Sequence, residues 1–179
     1  MPALVAGIHV LIVKTDAGFG RAKRRRSSNG DVRWGRARNV SVMNYWLVKS
    51  EPSVWSWDQQ VAKGAKGEAW TGVRNHTAKL NLMKMKKGDR AFFYHSNEGK
   101  EIVGIAEVIR EHYPDPTDKS GKFVCVDIAA DKPLKMPVSL EAVKKDKRLA
   151  EMALIKLSRL SVQPVTADEW KIVCKLGGL

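Results

Sequence analysis

At 179 residues the chain is long enough for one well-packed domain and too short for two ordinary ones. Its 32 Lys and Arg against 19 Asp and Glu give a formal charge of +13, which suits a polyanionic partner through counterion release and suits plain solubility equally well. Two distant cysteines without a C-x-x-C exclude a disulfide framework and a zinc ribbon, and no apolar run approaches the ~20 residues of a membrane helix.

The charge is uneven. Residues 1–42 carry nine of the Lys and Arg and two of the acids, a net +7, which leaves +6 for the remainder. Residues 1–13 are apolar but lack a basic flank and are interrupted by Pro2 and Gly7, unlike a signal peptide. Residues 18–38 are rich in Gly, Ser and Arg around Arg24, Arg25 and Arg26, with neither strand nor helix periodicity. Such a segment buries too little surface to offset its ordering entropy and is expected to be a disordered basic extension. It reads as an arm that grips nucleic acid or as an over-extended translation start. The onset of patterning at Met43 favours the second.

From Met43 the elements follow closely. A short apolar strand spans 45–48 and stops at Pro52. A helix is predicted over 56–63 with Ser53 or Ser56 as its N-cap, then a turn over 63–67 with Gly64 and Gly67. Residues 74–85 carry a helical run ended by Lys86-Lys87-Gly88. Strands are predicted over 89–95, 102–109 and 123–129, with a two-proline loop over 114–121. Short helices are predicted over 140–144 and 148–155, and a strand over 159–162. The final helix spans 166–174, with Thr166 and Glu169 spaced as a capping box. Strands cluster in the middle without βαβ alternation, which predicts an α+β domain over 43–179: a mostly antiparallel barrel decorated with short helices.

Three stretches stand out: Trp46 to Pro52 (WLVKSEP), Trp70 to Asn75 (WTGVRN) and Phe92 to Asn97 (FFYHSN). Each mixes aromatics with Ser, Asn, His, Arg or Lys at the end of an apolar run. A pocket that stacks a flat ring and reads its edge needs this mixture, which points to a flipped or single-stranded nucleobase.

Read in order with KKGDRAFFYHSN, VGIAEVIREHYPD and SRLSVQPVTADEW, these stretches resemble the EVE domain family over residues 44 to about 176. That resemblance implies a PUA-like barrel and a non-enzymatic reader of modified bases, above all methylated or hydroxymethylated cytosine. Thr71 and Thr77 stand where the family usually carries an acid and a Gln, so base preference is open to change here.

The residues and the resemblance together nominate a base pocket of Ser50, Trp70, Gly72, Val73, Arg74, Asn75, Tyr94, His95, Ser96, Arg159 and Ser161. Trp70 is the stacking wall and Asn75 the edge reader. Arg74 pairs with a phosphate or stacks. Strand alternation makes Tyr94 with Ser96 the better pocket pair, with His95 facing away, and puts Arg159 and Ser161 on one face. Lys49, Lys84, Lys86 and Lys87 are the phosphate contacts, the last three alternatively a solvated helix end. Trp55 and Trp57 read as packing.

Enzyme signatures are missing. His76, His95 and His112 lack metal-ligand spacing, and there is no HExxH, G-x-S-x-G or deaminase H-x-E with P-C-x-x-C. The competing readings are a nuclease or base-modifying activity built on Glu51, His95 and Asn97, and an RNA-binding module acting on tRNA or rRNA. No cofactor, metal or membrane partner is expected. The partner is nucleic acid, DNA or RNA carrying a modified base, and the expected location is cytoplasmic, with or without the nucleoid.

Overall fold

Strand β1 (Tyr45–Ser50) buries Trp46 and Val48 on one side and Leu47 on the other, so the apolar run at the domain's start belongs to a strand covered on both faces. The computed structural model describes residues 43–179; the basic extension expected over 1–42 lies outside the described residues. After β1 come α1 (Trp57–Ala62), a 3₁₀ turn (Gly64–Lys66), β2 (Glu68–Ala69), α2 (His76–Lys84) and β3 (Arg90–His95). Then follow β4 (Glu101–Pro114), β5 (Val124–Ser139), α3 (Leu140–Lys145), a 3₁₀ turn (Lys147–Leu149), α4 (Ala153–Lys156), β6 (Val162–Val165) and α5 (Ala167–Leu176).

Helix starts follow local chemistry. Ser56 and Gln59 form a reciprocal capping box on α1, and Thr166 and Glu169 form the expected one on α5. Asn75 caps α2 through Oδ1, which accepts from Ala78 N at 2.9 Å.

The six strands form one sheet in the order β2-β5-β4-β3-β1-β6. β1 and β3 run parallel; every other pairing among the described residues is antiparallel. Each face carries its own core. One holds Trp46, Val48, Trp57, Trp70, Phe93 and Val108 with Ala78, Leu82 and Met85 from α2 and the residue after it. The other holds Leu47, Phe92, Tyr94 and Ile105 with Val143, Leu154, Trp170 and Val173 from α3, α4 and α5. Trp170 stacks on Phe92 at 3.9 Å and on Tyr45 at 4.5 Å, which anchors α5.

Three expectations are corrected. The sheet is open, not a closed barrel: β2 and β6 are its edges, and with two and four residues neither offers enough ladder to pair with the other. β4 and β5 are far longer than expected, at 14 and 16 residues. A bulge between Ile102 and Gly104 absorbs Pro137, while Pro133 sits opposite Gly104. The strand expected over 159–162 begins only at Val162, and Arg159 sits in the turn before it.

Candidate nucleic-acid interface

Because β1 and β3 run parallel, their C-terminal ends finish side by side, with Ser50 opposite His95. Ser96 N donates to Ser50 O at 2.8 Å and continues the pairing past the strand ends. Ligands commonly bind beyond the carboxyl ends of parallel strands, where loops diverge and leave a crevice. The chain joining β1 to β3 packs Trp57 and Trp70 against Phe93 of β3, and Trp57 N bonds His95 at the strand's end.

Three rings surround Phe93 edge-on. Trp57 lies 5.3 Å away at 64°, Trp70 5.5 Å at 84° and His95 5.7 Å at 81°. Edge-to-face packing directs each partial positive edge at a ring face, so this nest is both apolar and geometrically fixed. Gly104, opposite Phe93 on β4, makes room for it: a Cβ there would overlap the Trp57 ring. His95 Nε2 accepts from Trp57 N at 3.1 Å, which leaves the imidazole proton on Nδ1. Burial pushes the His95 pKa below its usual value, against the opposing pull of Glu101 and Asp58.

The loop from Trp70 to Asn75 is held by one buried carboxylate. Asp115 Oδ2 accepts from Gly72 N at 2.9 Å and Arg74 Nη1 at 2.7 Å; its Oδ1 accepts from Thr117 N at 2.8 Å and Thr117 Oγ1 at 2.6 Å. Arg74 Nη2 reaches Thr117 Oγ1 at 2.8 Å, and its guanidinium lies 5.5 Å from the Phe123 ring centre. Burial pushes the Asp115 carboxyl up, but hydrogen bonds from Thr117, Arg74 and Gly72 outweigh it, and the net direction is down. Gly72 has φ +80° and open space where a Cβ would stand, so glycine serves the backbone conformation here.

Beside this loop an open groove of about 370 Å³ runs between the start of α2 and the turn before β6. It is lined by Asn75, Thr77, Lys156, Leu157, Ser158, Arg159 and Leu160. Leu160 also belongs to the core cluster of Trp70 and Phe93, which joins groove and aromatic nest. On the other face Lys49 Nζ donates to Ser158 O at 2.9 Å and sits 5.6 Å from the Tyr94 ring centre. Burial pushes Lys49 down to about 8.

Phe93 lies between Trp70 and His95, Ser50 is the backbone partner of His95, and Asn75 and Arg159 line the groove. Val73 is buried in the same core. Ser96 and Ser161 contribute backbone: Ser96 N bonds Ser50 O, and Ser161 O accepts from Lys49 N at 2.9 Å. The pairing of Tyr94 with Ser96 is reversed. Tyr94 packs with Phe92 in the second core, and His95 is the residue on Trp70's side. Arg74 spends its guanidinium on Asp115, so it positions the loop. Lys84, Lys86 and Lys87 lie at or beyond the far end of α2, a nine-residue helix, hence roughly 13 Å from Asn75. Lys86 there pairs with Glu111 at 2.9 Å. Trp57 packs in the core as expected, and sequence reasoning missed its fit over Gly104 and the role of Asp115. The Trp57–Gly104 complementarity and the buried carboxylate are long-range and leave no local signal.

The profile of the EVE domain matches residues 44–176, so the chain belongs to the EVE domain family. Among its relatives is thymocyte nuclear protein 1 of Mus musculus, 33% identical over 168 residues, covering 76% of this chain and 74% of the relative. Among solved structures, Rpa0253 of Rhodopseudomonas palustris is 80% identical with a TM-score of 0.73, covering 76% of this chain and 94% of that one. Human THYN1, solved in complex with 5-methylcytosine-containing DNA, is 31% identical with a TM-score of 0.70, covering 76% and 98%.

Proposed function

We propose that this chain is a non-enzymatic nucleic-acid-binding module that holds a modified base, of the 5-methylcytosine or 5-hydroxymethylcytosine type, at the C-terminal ends of β1 and β3. The observation that carries the reading is the groove that Asn75 and Arg159 line from opposite sides, backed through Leu160 by the buried aromatic core of Trp57, Trp70 and Phe93. Stacking supplies affinity for any base, ~1–3 kcal/mol each, and the Asn75 amide supplies discrimination at the base edge. The relative bound to 5-methylcytosine DNA supports the same class of ligand. The phosphate role falls to Arg159 and Lys49, both at the groove's turn, in place of the lysines at the far end of α2.

The enzymatic alternative finds its groups already committed. His95 gives its acceptor nitrogen to Trp57 N, and Glu51 Oε1 accepts from Asn97 Nδ2 at 2.7 Å. Neither is poised to take a proton from a substrate.

Binding should be measured by fluorescence polarisation with DNA and RNA oligonucleotides carrying cytosine, 5-methylcytosine or 5-hydroxymethylcytosine. A buried methyl contributes about 0.8 kcal/mol, so a preference of about fourfold for 5-methylcytosine is expected. Equal affinity for all three cytosines in both DNA and RNA would refute the reading.

A further inference from the structure

The turn between α4 and β6 is built to hold its shape. Gln163 Nε2 donates to Leu157 O and to Leu160 O, both at 2.9 Å, while Lys49 Nζ holds Ser158 O. Leu160 N closes the turn on Leu157 O at 3.0 Å, and Leu157 N is tied to Ala153 O at 2.8 Å. Gln163 is fully buried, and its own Oε1 has no hydrogen-bond partner in the structure. Leaving a buried carbonyl oxygen unsatisfied is costly, so the fold accepts a penalty to pin this turn from beneath. What the pinned turn presents outward is Leu157, half exposed, with Lys156 and Arg159 on either side.

An apolar side chain held rigidly in the open, between two cations, at the rim of a base site, matches the devices that proteins insert into a base stack. Drawing a base out of a duplex leaves a gap in the stack, and filling it with an apolar group offsets part of the unstacking cost. The cations lie where the flanking phosphates would pass. Val54, the other exposed aliphatic near the site at 72% exposure, is a poorer fit, because Glu51 stands three residues before it and would repel phosphate. Resting on the modified-base reading above, we propose that Leu157 is a wedge that enters double-stranded DNA and occupies the space left by the extruded base.

The test compares the full chain with its Leu157→Ala, Leu157→Met and Val54→Ala variants on one oligonucleotide carrying 5-methylcytosine or cytosine, single-stranded and in a duplex. Leu157 is at the surface, so melting temperatures should match. Leu157→Ala is expected to lose about tenfold affinity for the duplex, the scale of removing one leucine-sized apolar contact, and less than about twofold for the single strand. Leu157→Met should restore the duplex affinity and Val54→Ala should leave it unchanged. Equal losses on both probes would make Leu157 part of the pocket wall and overturn the wedge. So would a wild-type protein that prefers the modified single strand but ignores the duplex, an outcome that leaves the base-binding reading standing. A wild-type protein indifferent to the modification in both the single strand and the duplex removes that reading, and the wedge with it.

Discussion

Arg74 and Asp115 are 41 residues apart in sequence and 2.7 Å apart in space, and their ion pair holds the loop from Trp70 to Asn75. The carboxylate is buried while the guanidinium is 41% exposed, so the pair is asymmetric: Asp115 depends on its donors more than Arg74 depends on it. Asp115→Ala orphans Gly72 N and Thr117 N as well as Arg74, and should cost about 1–3 kcal/mol in chemical denaturation. Arg74→Ala should also destabilise, since a buried carboxylate then keeps only neutral donors. Because the Asp115 pKa is lowered in the folded state, its stabilisation is present above its ordinary value of 3.8 and is lost as pH falls through the folded value. If Asp115→Ala matches wild type in denaturant midpoint, the loop is held some other way.

Asn75 has two jobs that one substitution can separate. Its Oδ1 caps α2, and in the proposed reading its Nδ2 is the donor to the base edge. Asn75→Asp keeps the cap and removes the donor, so stability should stay within about 0.5 kcal/mol while discrimination between modified and unmodified cytosine collapses. Asn75→Ala should lose both, with a stability cost of about 1 kcal/mol. Thermal melting alongside oligonucleotide titration checks this pair. Unchanged base preference in Asn75→Asp would remove Asn75 from the reading edge.

His95 makes stability sensitive to mild acid. Its folded pKa lies below the ordinary 6.5, so the unfolded chain binds the proton more tightly in that window. Stability should be full above about pH 6.5 and decline as pH falls below it, because protonating Nε2 removes the acceptor that holds Trp57 N. Melting curves from pH 7.5 to 5 should show a steeper loss in wild type than in His95→Gln, whose amide oxygen accepts without titrating. Parallel curves would mean that His95 titrates alike folded and unfolded.

Lys49 acts at the alkaline end with the same sign. Burial lowers it to about 8 from 10.5, so the charged form costs free energy in the fold at neutral pH. Between about pH 8 and 10.5 the unfolded chain holds the proton that the folded chain has released, so stability rises with pH there. Lys49→Met should abolish that increment, visible as a converging stability difference between the two proteins from pH 7.5 to 10. DNA affinity should move oppositely, falling as Lys49 loses its charge. A Lys49→Arg variant that loses affinity as steeply as wild type would exclude Lys49 from phosphate contact.

Most helices, two of their caps and the family were readable along the chain, because each depends on residues a few positions apart, as in Ser56 with Gln59 and Thr166 with Glu169; the helix expected over 148–155 is instead a 3₁₀ turn (Lys147–Leu149) followed by α4 (Ala153–Lys156). The motifs that nominate a site were visible for a related reason, since aromatics and hydrogen-bonding groups at strand ends are local features. Which way those motifs face was decided in three dimensions. Tyr94 and His95 are neighbours on one strand, and only the parallel pairing of β1 with β3, with α2 on one face and α5 on the other, sends His95 to Trp70 and Tyr94 to the opposite core. The open sheet, the lengths of β4 and β5, the fit of Trp57 over Gly104 and the capture of Arg74 by Asp115 belong to the same class. Each joins residues tens of positions apart, and such pairings form only when burial of both sheet faces selects one register over its alternatives.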